Sequence, residues 1–123
     1  MEKIIIYQIF TRLYGNRNET RKPSGSIEEN GCGKLNDFTP TVLRQLKTMG
    51  VSHVWYTGVI RHATMTDYSE LGIPHQHPAV VKGRAGSPYA ITDYYDIDPT
   101  WPSMSGSAWR SLNSWWSART RLD

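Results

Sequence analysis

Residues 39–57, TPTVLRQLKTMGVSHVWYT, decide how the chain is read. Thr39 is suited to cap a helix that opens at Pro40, a position where the missing N–H is no loss. Phe38 before the cap and Leu43 at the fourth position can close a hydrophobic staple. Val42, Leu43, Leu46 and Met49 recur at helical spacing as one apolar stripe, with Arg44 and Lys47 facing out. Lys47 suits the negative C-terminal end of the helix, and Gly50 supplies a left-handed cap. Val51 to Thr57 then reads as a β-branched and aromatic strand, joined to the helix by Gly50 alone.

Upstream, KIIIYQIF at residues 3–10 also reads as a strand. Its unbroken apolar run suits burial on both faces, as in a parallel sheet. Strand, helix and strand with a tight join predict a right-handed parallel βαβ unit. Residues 11–36 are rich in Gly, Asn, Ser and charge and read as a long exposed loop. Loops of that length in compact domains are functional or disordered as a rule. A second long loop, residues 58–88, holds His62, His75 and His77. Tyr89 to Pro99, YAITDYYDIDP, has an extended centre and ends in a turn. No internal repeat or low-complexity tract precedes residue 100.

The chain has 123 residues, a net charge of +3 and a single cysteine. That length suits one domain at most and excludes a complete (β/α)8 barrel of about 250 residues. One cysteine excludes an internal disulfide framework. No apolar run reaches the roughly 18 residues of a membrane-spanning helix. The leading apolar run, Ile4 to Tyr7 before Gln8, is too short for a signal peptide, so a soluble cytoplasmic product is expected. Residues 1–99 carry 11 basic and 10 acidic groups, whereas residues 100–123 carry three Arg and one Asp. The basic balance therefore belongs largely to the tail and does not itself call for an acidic partner.

Three stretches together resemble the start of an α-amylase-type enzyme of glycoside hydrolase family 13. IIIYQIFTRLYG (residues 4–15) is similar to the family's opening barrel strand, which commonly reads Y-Q-I-F-x-R-F. LRQLKTMGVSHVWYTGVI (residues 43–60) is similar to the first barrel helix and second strand. SPYAITDYYDIDP (residues 87–99) is similar to the Gly-Tyr-x-x-x-Asp-Tyr-x-x-Ile-Asp-Pro segment before the second barrel helix, with Pro88 where the family usually has Gly. Each motif alone is modest, and their order and spacing carry the assignment. The resemblance implies an α/β fold, the incomplete start of a (β/α)8 TIM barrel with strand 1, helix 1, strand 2 and long βα loops, spanning residues 1–99. It also implies retaining hydrolysis or transfer at α-glucosidic bonds of starch-like glucans or malto-oligosaccharides. Retention needs two carboxyl groups about 5 Å apart. In the family these sit beyond the segments matched here, so no catalytic residue is assigned and the chain alone is expected to be inactive. With two of eight strands, poor folding or aggregation is expected. No metal ligand is assigned; calcium is possible in the full-length family enzyme.

The resemblance matches Tyr89 to the family tyrosine that stacks on the sugar beside the scissile bond, since a flat π-face packs on the apolar face of a pyranose. An ordinary packed tyrosine is the other reading. Asp93 falls on the motif's aspartate, with a loop-anchoring role set against a chemical one. Tyr95 and Pro99 belong to the same structural motif, as do Tyr94 and Ile97. Loops after barrel strands line the active face, which makes His62, Thr64, Asp67 and Tyr68 candidate walls of a glucan site. His62 with His75 and His77 lacks a recognised metal spacing. Cys32, between Gly31 and Gly33, has no evident base partner and reads as a free thiol.

Residues 100–118, TWPSMSGSAWRSLNSWWSA, fit no regular element. Trp101, Trp109, Trp115 and Trp116 have neither helical nor strand period. A Trp-rich surface for carbohydrate, membrane or single-stranded nucleic acid is one reading. The stretch from 100 to 109 has no basic residue, which disfavours nucleic acid, and neither nucleic acid nor membrane is an expected partner. A small non-catalytic carbohydrate-binding protein using Tyr89 and the tail is the alternative function. The preferred reading is a frameshift. Codons compatible with residues 100–123, shifted by one base after Pro99, can read DLAVDVRERMEEFEQLVERTHRLD, an amphipathic helix like the family's continuation. A second indel near Arg119 would restore the frame. Re-sequencing the gene is expected to show that shift near codon 100; a confirmed present frame with no family-like helix in another frame would end the idea.

Overall fold

A computed structural model describes residues 3–101 of the chain. Strand β1 covers Ile6–Phe10, and the short helix α1 covers Ile27–Asn30. Helix α2 covers Pro40–Thr48, followed by β2 at His53–Thr57, β3 at Ile60–His62 and β4 at Ile91–Ile97. Single 3-10 turns lie at Leu35–Asp37, Ser69–Leu71 and Pro78–Val80.

The helix forms where its boundary residues predict. Thr39 is the N-cap and accepts from the Val42 amide, Pro40 sits in the first turn, and Lys47 lies in the last turn. Gly50 takes φ +89°, a left-handed conformation that turns the chain into β2. The stripe is shorter than its spacing suggests. Leu46 is buried and Val42 and Leu43 are half-buried, but Met49 is 72% exposed. Met49 is the C-cap, at the end of the helix.

β1 and β2 pair in parallel, with Tyr7 opposite Val54 and Ile9 opposite Tyr56. The expected strand–helix–strand unit with parallel pairing is therefore present. Burial of β1 on both faces is not observed: Ile4 is 67% and Ile6 60% exposed, and Trp55 on β2 is exposed too. One face of the pair is covered. There Ile9, Leu35, Phe38, Leu46 and Trp101 form the core, with Tyr14, Val54 and Tyr56 packed against it. Phe38 is fully buried. It stacks on Tyr14 at 4.7 Å and meets Tyr56 edge-on at 4.9 Å.

The expected start of a (β/α)8 barrel is overturned. The described residues form a small mixed unit of two helices and two separate two-stranded sheets, one parallel and one antiparallel. A barrel start would carry the chain from β2 through a helix to a third parallel strand. Instead only Gly58 and Val59 separate β2 from β3, and β3 pairs antiparallel with β4, which needs no crossover helix. That pairing is irregular. Ile60 faces Ile97, but the next residue, Arg61, faces Asp93, so Tyr94, Tyr95 and Asp96 form a bulge. Tyr94 and Tyr95 accordingly stand at the surface.

The first long loop is more ordered than its composition suggests. Ser26 and Glu29 form a reciprocal capping box at α1. Asn16, Asn18 and Asn30 hydrogen-bond backbone groups across the loop. Gly33 lies so close to its neighbours that a Cβ there would stand 2.0 Å from the Tyr14 carbonyl oxygen. Trp101, at the start of the residues read as an aberrant tail, is buried, and its Nε1 donates to the Gly58 carbonyl at 2.8 Å. Residues 102–123, with Trp109, Trp115 and Trp116, lie outside the described residues.

Burial separates two residues of the sequence stripe. Leu46→Ala is expected to lower stability by about 2–5 kcal/mol, and Met49→Ala to change it by no more than about 0.5 kcal/mol. Urea unfolding of the purified chain measures both; equal effects would contradict the observed helix face.

Candidate functional site

The two long loops meet over the end of the parallel pair and enclose a cleft of about 670 Å³. From the first loop come Arg12, Asn16, Asn18, Arg21 and Cys32, and from the second come His62, Thr64, Thr66, Asp67 and Arg84. Thr100 and Trp101 close one side.

Several contacts fix these walls. The Arg12 guanidinium lies 5.0 Å from the Phe10 ring centre, and its Nη1 donates to the Ala85 carbonyl at 2.9 Å. This bond ties the first loop to the second. Burial lowers the Arg12 pKa, opposed by the nearby Cys32 and Asp98. Lys34 Nζ donates to the Thr100 carbonyl, and Tyr68 shares a hydrogen bond between its hydroxyl and Thr100 Oγ1. The Thr100 amide donates to Asp98 Oδ1 at 2.9 Å. Asp98 is 1% exposed, and its Oδ2 lies 3.3 Å from His62 Nδ1. That approach is within ion-pair range but outside hydrogen-bond geometry, which leaves Oδ2 without a hydrogen bond.

The candidates from the sequence fall into two places. His62, Thr64 and Asp67 line the cleft, and Tyr68 sits behind them, bonded to Thr100. Asp67 is exposed. The Ser69 amide, donating to its Oδ1 at 2.9 Å, holds its carboxyl below the usual carboxylate range. His75 Nε2 lies 3.3 Å from the same oxygen, and both side chains are exposed. His77 Nδ1 accepts from the Ala79 amide. Burial pushes the Cys32 thiol up, away from the thiolate form a nucleophile needs.

Tyr89 does not line the cleft; it is 69% exposed. Asp93 Oδ1 accepts from the Tyr95 amide at 2.8 Å, and its other oxygen pairs with Arg61. Arg61 also approaches Asp96 at 3.7 Å. Asp93 is therefore held between the bulge and β3. Tyr95 is 87% exposed, and Pro99 is half-buried between Asp98 and Thr100. Among the described residues, no three His, Cys, Asp or Glu side chains cluster closely enough to hold a metal ion. No calcium site is assigned within residues 3–101.

Sequence reasoning missed Arg12, Asn16, Asn18, Arg84 and Asp98. The capping pattern Ser26-x-x-Glu29 was the one local signal that the first loop has fixed structure. Nothing in the sequence brings Arg84 to Arg12, because Ala85 links them through its backbone carbonyl.

No family model, curated protein or solved structure matches this chain. Among the described residues, no helix is long and apolar enough to cross a membrane.

Burial raises the Tyr68 pKa, partly opposed by its bond to Thr100. A folded pKa above the unfolded one stabilises the chain below the ordinary phenol range, and that contribution is lost as pH rises through the folded value. Ultraviolet titration is expected to show a late-ionising tyrosine that Tyr68→Phe removes; an unchanged curve would disprove the burial of this hydroxyl.

Proposed function

We propose that the chain binds α-glucans or malto-oligosaccharides as part of an α-amylase-type glycoside hydrolase. The three ordered motifs support the reading, and one observation carries it: His62, Thr64 and Asp67 meet Arg12, Asn16 and Asn18 on a single cleft. Its volume lies within the roughly 300–1,000 Å³ of small-molecule sites. Fixed amide, guanidinium and imidazole groups suit an uncharged ligand rich in hydroxyls. The retaining chemistry of such an enzyme needs a carboxyl pair that is assigned to no residue here, so the chain's own share is binding. The exposed ring of Tyr89 leaves a face free for a pyranose. The proposed compartment is the cytoplasm, which suits the one unpaired thiol, Cys32.

The exposure of Tyr89, Tyr94 and Tyr95 favours a second reading, a small carbohydrate-binding protein that uses surface aromatics together with the tail. Truncation distinguishes the two. The cut belongs after Trp101, since ending the chain at Pro99 would strip Trp101 from the core.

Calorimetry with maltoheptaose is expected to show binding by the full chain, with no reducing sugar released. Tyr89→Ala is expected to weaken binding roughly tenfold, about 1.4 kcal/mol. The chain ending at Trp101 should bind as the full chain does. Loss of binding on that truncation favours the surface module, and no binding by the full chain refutes both.

A further inference from the structure

His62 is only 6% exposed, yet it is one of the residues that line the cleft. Its two nitrogens have different surroundings. Nδ1 lies 3.1 Å from the Ile60 carbonyl oxygen and 3.3 Å from Asp98 Oδ2. Both neighbours are acceptors, so a lone pair on Nδ1 would face two oxygens, one of them a buried carboxylate. The proton therefore belongs on Nδ1. Nε2 makes no hydrogen bond among the described residues and, in the neutral ring, keeps its lone pair.

The rest of the cleft is rich in donors, and its carboxylates, Glu28 and Asp67, are exposed at its surface. The side chains of Arg12, Arg21 and Arg84 can only donate. Thr64 Oγ1 already donates to the Arg84 carbonyl and accepts from the Thr66 amide. One Asp67 oxygen is engaged by the Ser69 amide. A sugar hydroxyl both donates and accepts, and within the buried wall of the cleft the His62 ring offers its proton an acceptor.

We propose that His62 Nε2 accepts a hydrogen bond from a hydroxyl of a neutral polyol ligand, and that Asp98 is the positioning residue that keeps it an acceptor. The inference rests on the glucan reading above and adds the atom, its polarity and the residue that sets it. It also separates ligand classes. A sulfate dianion has no proton to give, so a lone pair on His62 disfavours it despite the three guanidinium groups that line the cleft.

The test uses the full chain labelled with nitrogen-15 in its histidines, with the His62 ring signals assigned by their loss in His62→Gln. The expected wild-type spectrum has the Nδ1–H tautomer. Maltoheptaose or concentrated glycerol should shift the Nε2 signal, and inorganic sulfate should not. His62→Phe is expected to weaken maltoheptaose binding roughly tenfold. Asp98→Asn, of the same size, should raise the Nε2–H population and weaken binding with it. An Nε2–H tautomer in the wild type overturns the inference, as does a folded His62→Phe protein that binds like the wild type. If the buried variants fail to fold, the wild-type spectrum and its response to polyol decide. Glycerol that shifts Nε2 while maltoheptaose does not bind refutes the glucan reading and supports the role of His62. A spectrum that neither probe moves overturns the role of His62, and the glucan reading then stands or falls with calorimetric binding of maltoheptaose.

Discussion

The parallel pair, helix α2 and the first loop are assembled around the Phe38 ring. It stacks on Tyr14 from the first loop and meets Tyr56 of β2 edge-on, with Leu46 of α2 and Ile9 of β1 in the same core. A parallel pair of strands cannot bury a face alone; it needs a covering layer. Here that layer is one helix and a folded loop. Because Tyr14 belongs to the loop, its stacking on Phe38 carries the loop's order back into the core. The loop's internal bonds among Asn16, Asn18 and Asn30 then hold the cleft-facing side chains.

The second clamp is the segment Asp98–Trp101. Trp101 fills the core from the far end of the described residues and donates to Gly58, just after β2. Thr100 receives Lys34 from the first loop and Tyr68 from the second. Four residues thus draw together three parts of the chain that are distant in sequence. Asp98 lies within this clamp, which is why a carboxylate can be almost wholly buried there. Its Oδ1 is satisfied by the Thr100 amide, and His62 stands beside its Oδ2. An uncompensated buried carboxylate would be strongly destabilising, so the position of the His62 ring is tied to the stability of the clamp.

The parts legible in sequence were those set by local chemistry. Thr39, Pro40 and Gly50 mark the limits of α2 through capping and backbone preference, and the apolar runs on either side mark β1 and β2. The antiparallel pair was not legible. β3 has only three residues, and Ile60, Arg61 and His62 show no pattern long enough to read. Its pairing depends on Ile97 and Asp93, more than thirty residues away. Met49 kept the helical spacing but is exposed at the C-cap. Trp101 looked like part of a tail without pattern because its burial depends on Gly58 and the core, not on its sequence neighbours. For the site, His62, Thr64 and Asp67 were legible as loop residues of suitable chemistry, while Arg12 and Asp98 were not. Their roles arise from burial and from a carbonyl contact that leaves no trace in residue types.

The irregular β3–β4 pairing links fold to chemistry. In a regular strand Arg61 and His62 point to opposite faces. Here each finds a carboxylate from the other end of the same motif: Arg61 pairs with Asp93, and His62 faces Asp98. The bulge at Tyr94–Asp96 makes up the difference in length between the two contacts. It brings Asp93 back to Arg61 and still lets Ile97 return to Ile60, one step before the turn that buries Asp98. A regular ladder would place Asp96 opposite Arg61 instead. The extra residues are therefore what allow a short strand to satisfy one half-buried pair and one buried pair at once. The tyrosines they expose follow from the same geometry, and a second register shift, between Arg61 and His62, sets His62 opposite Ile91.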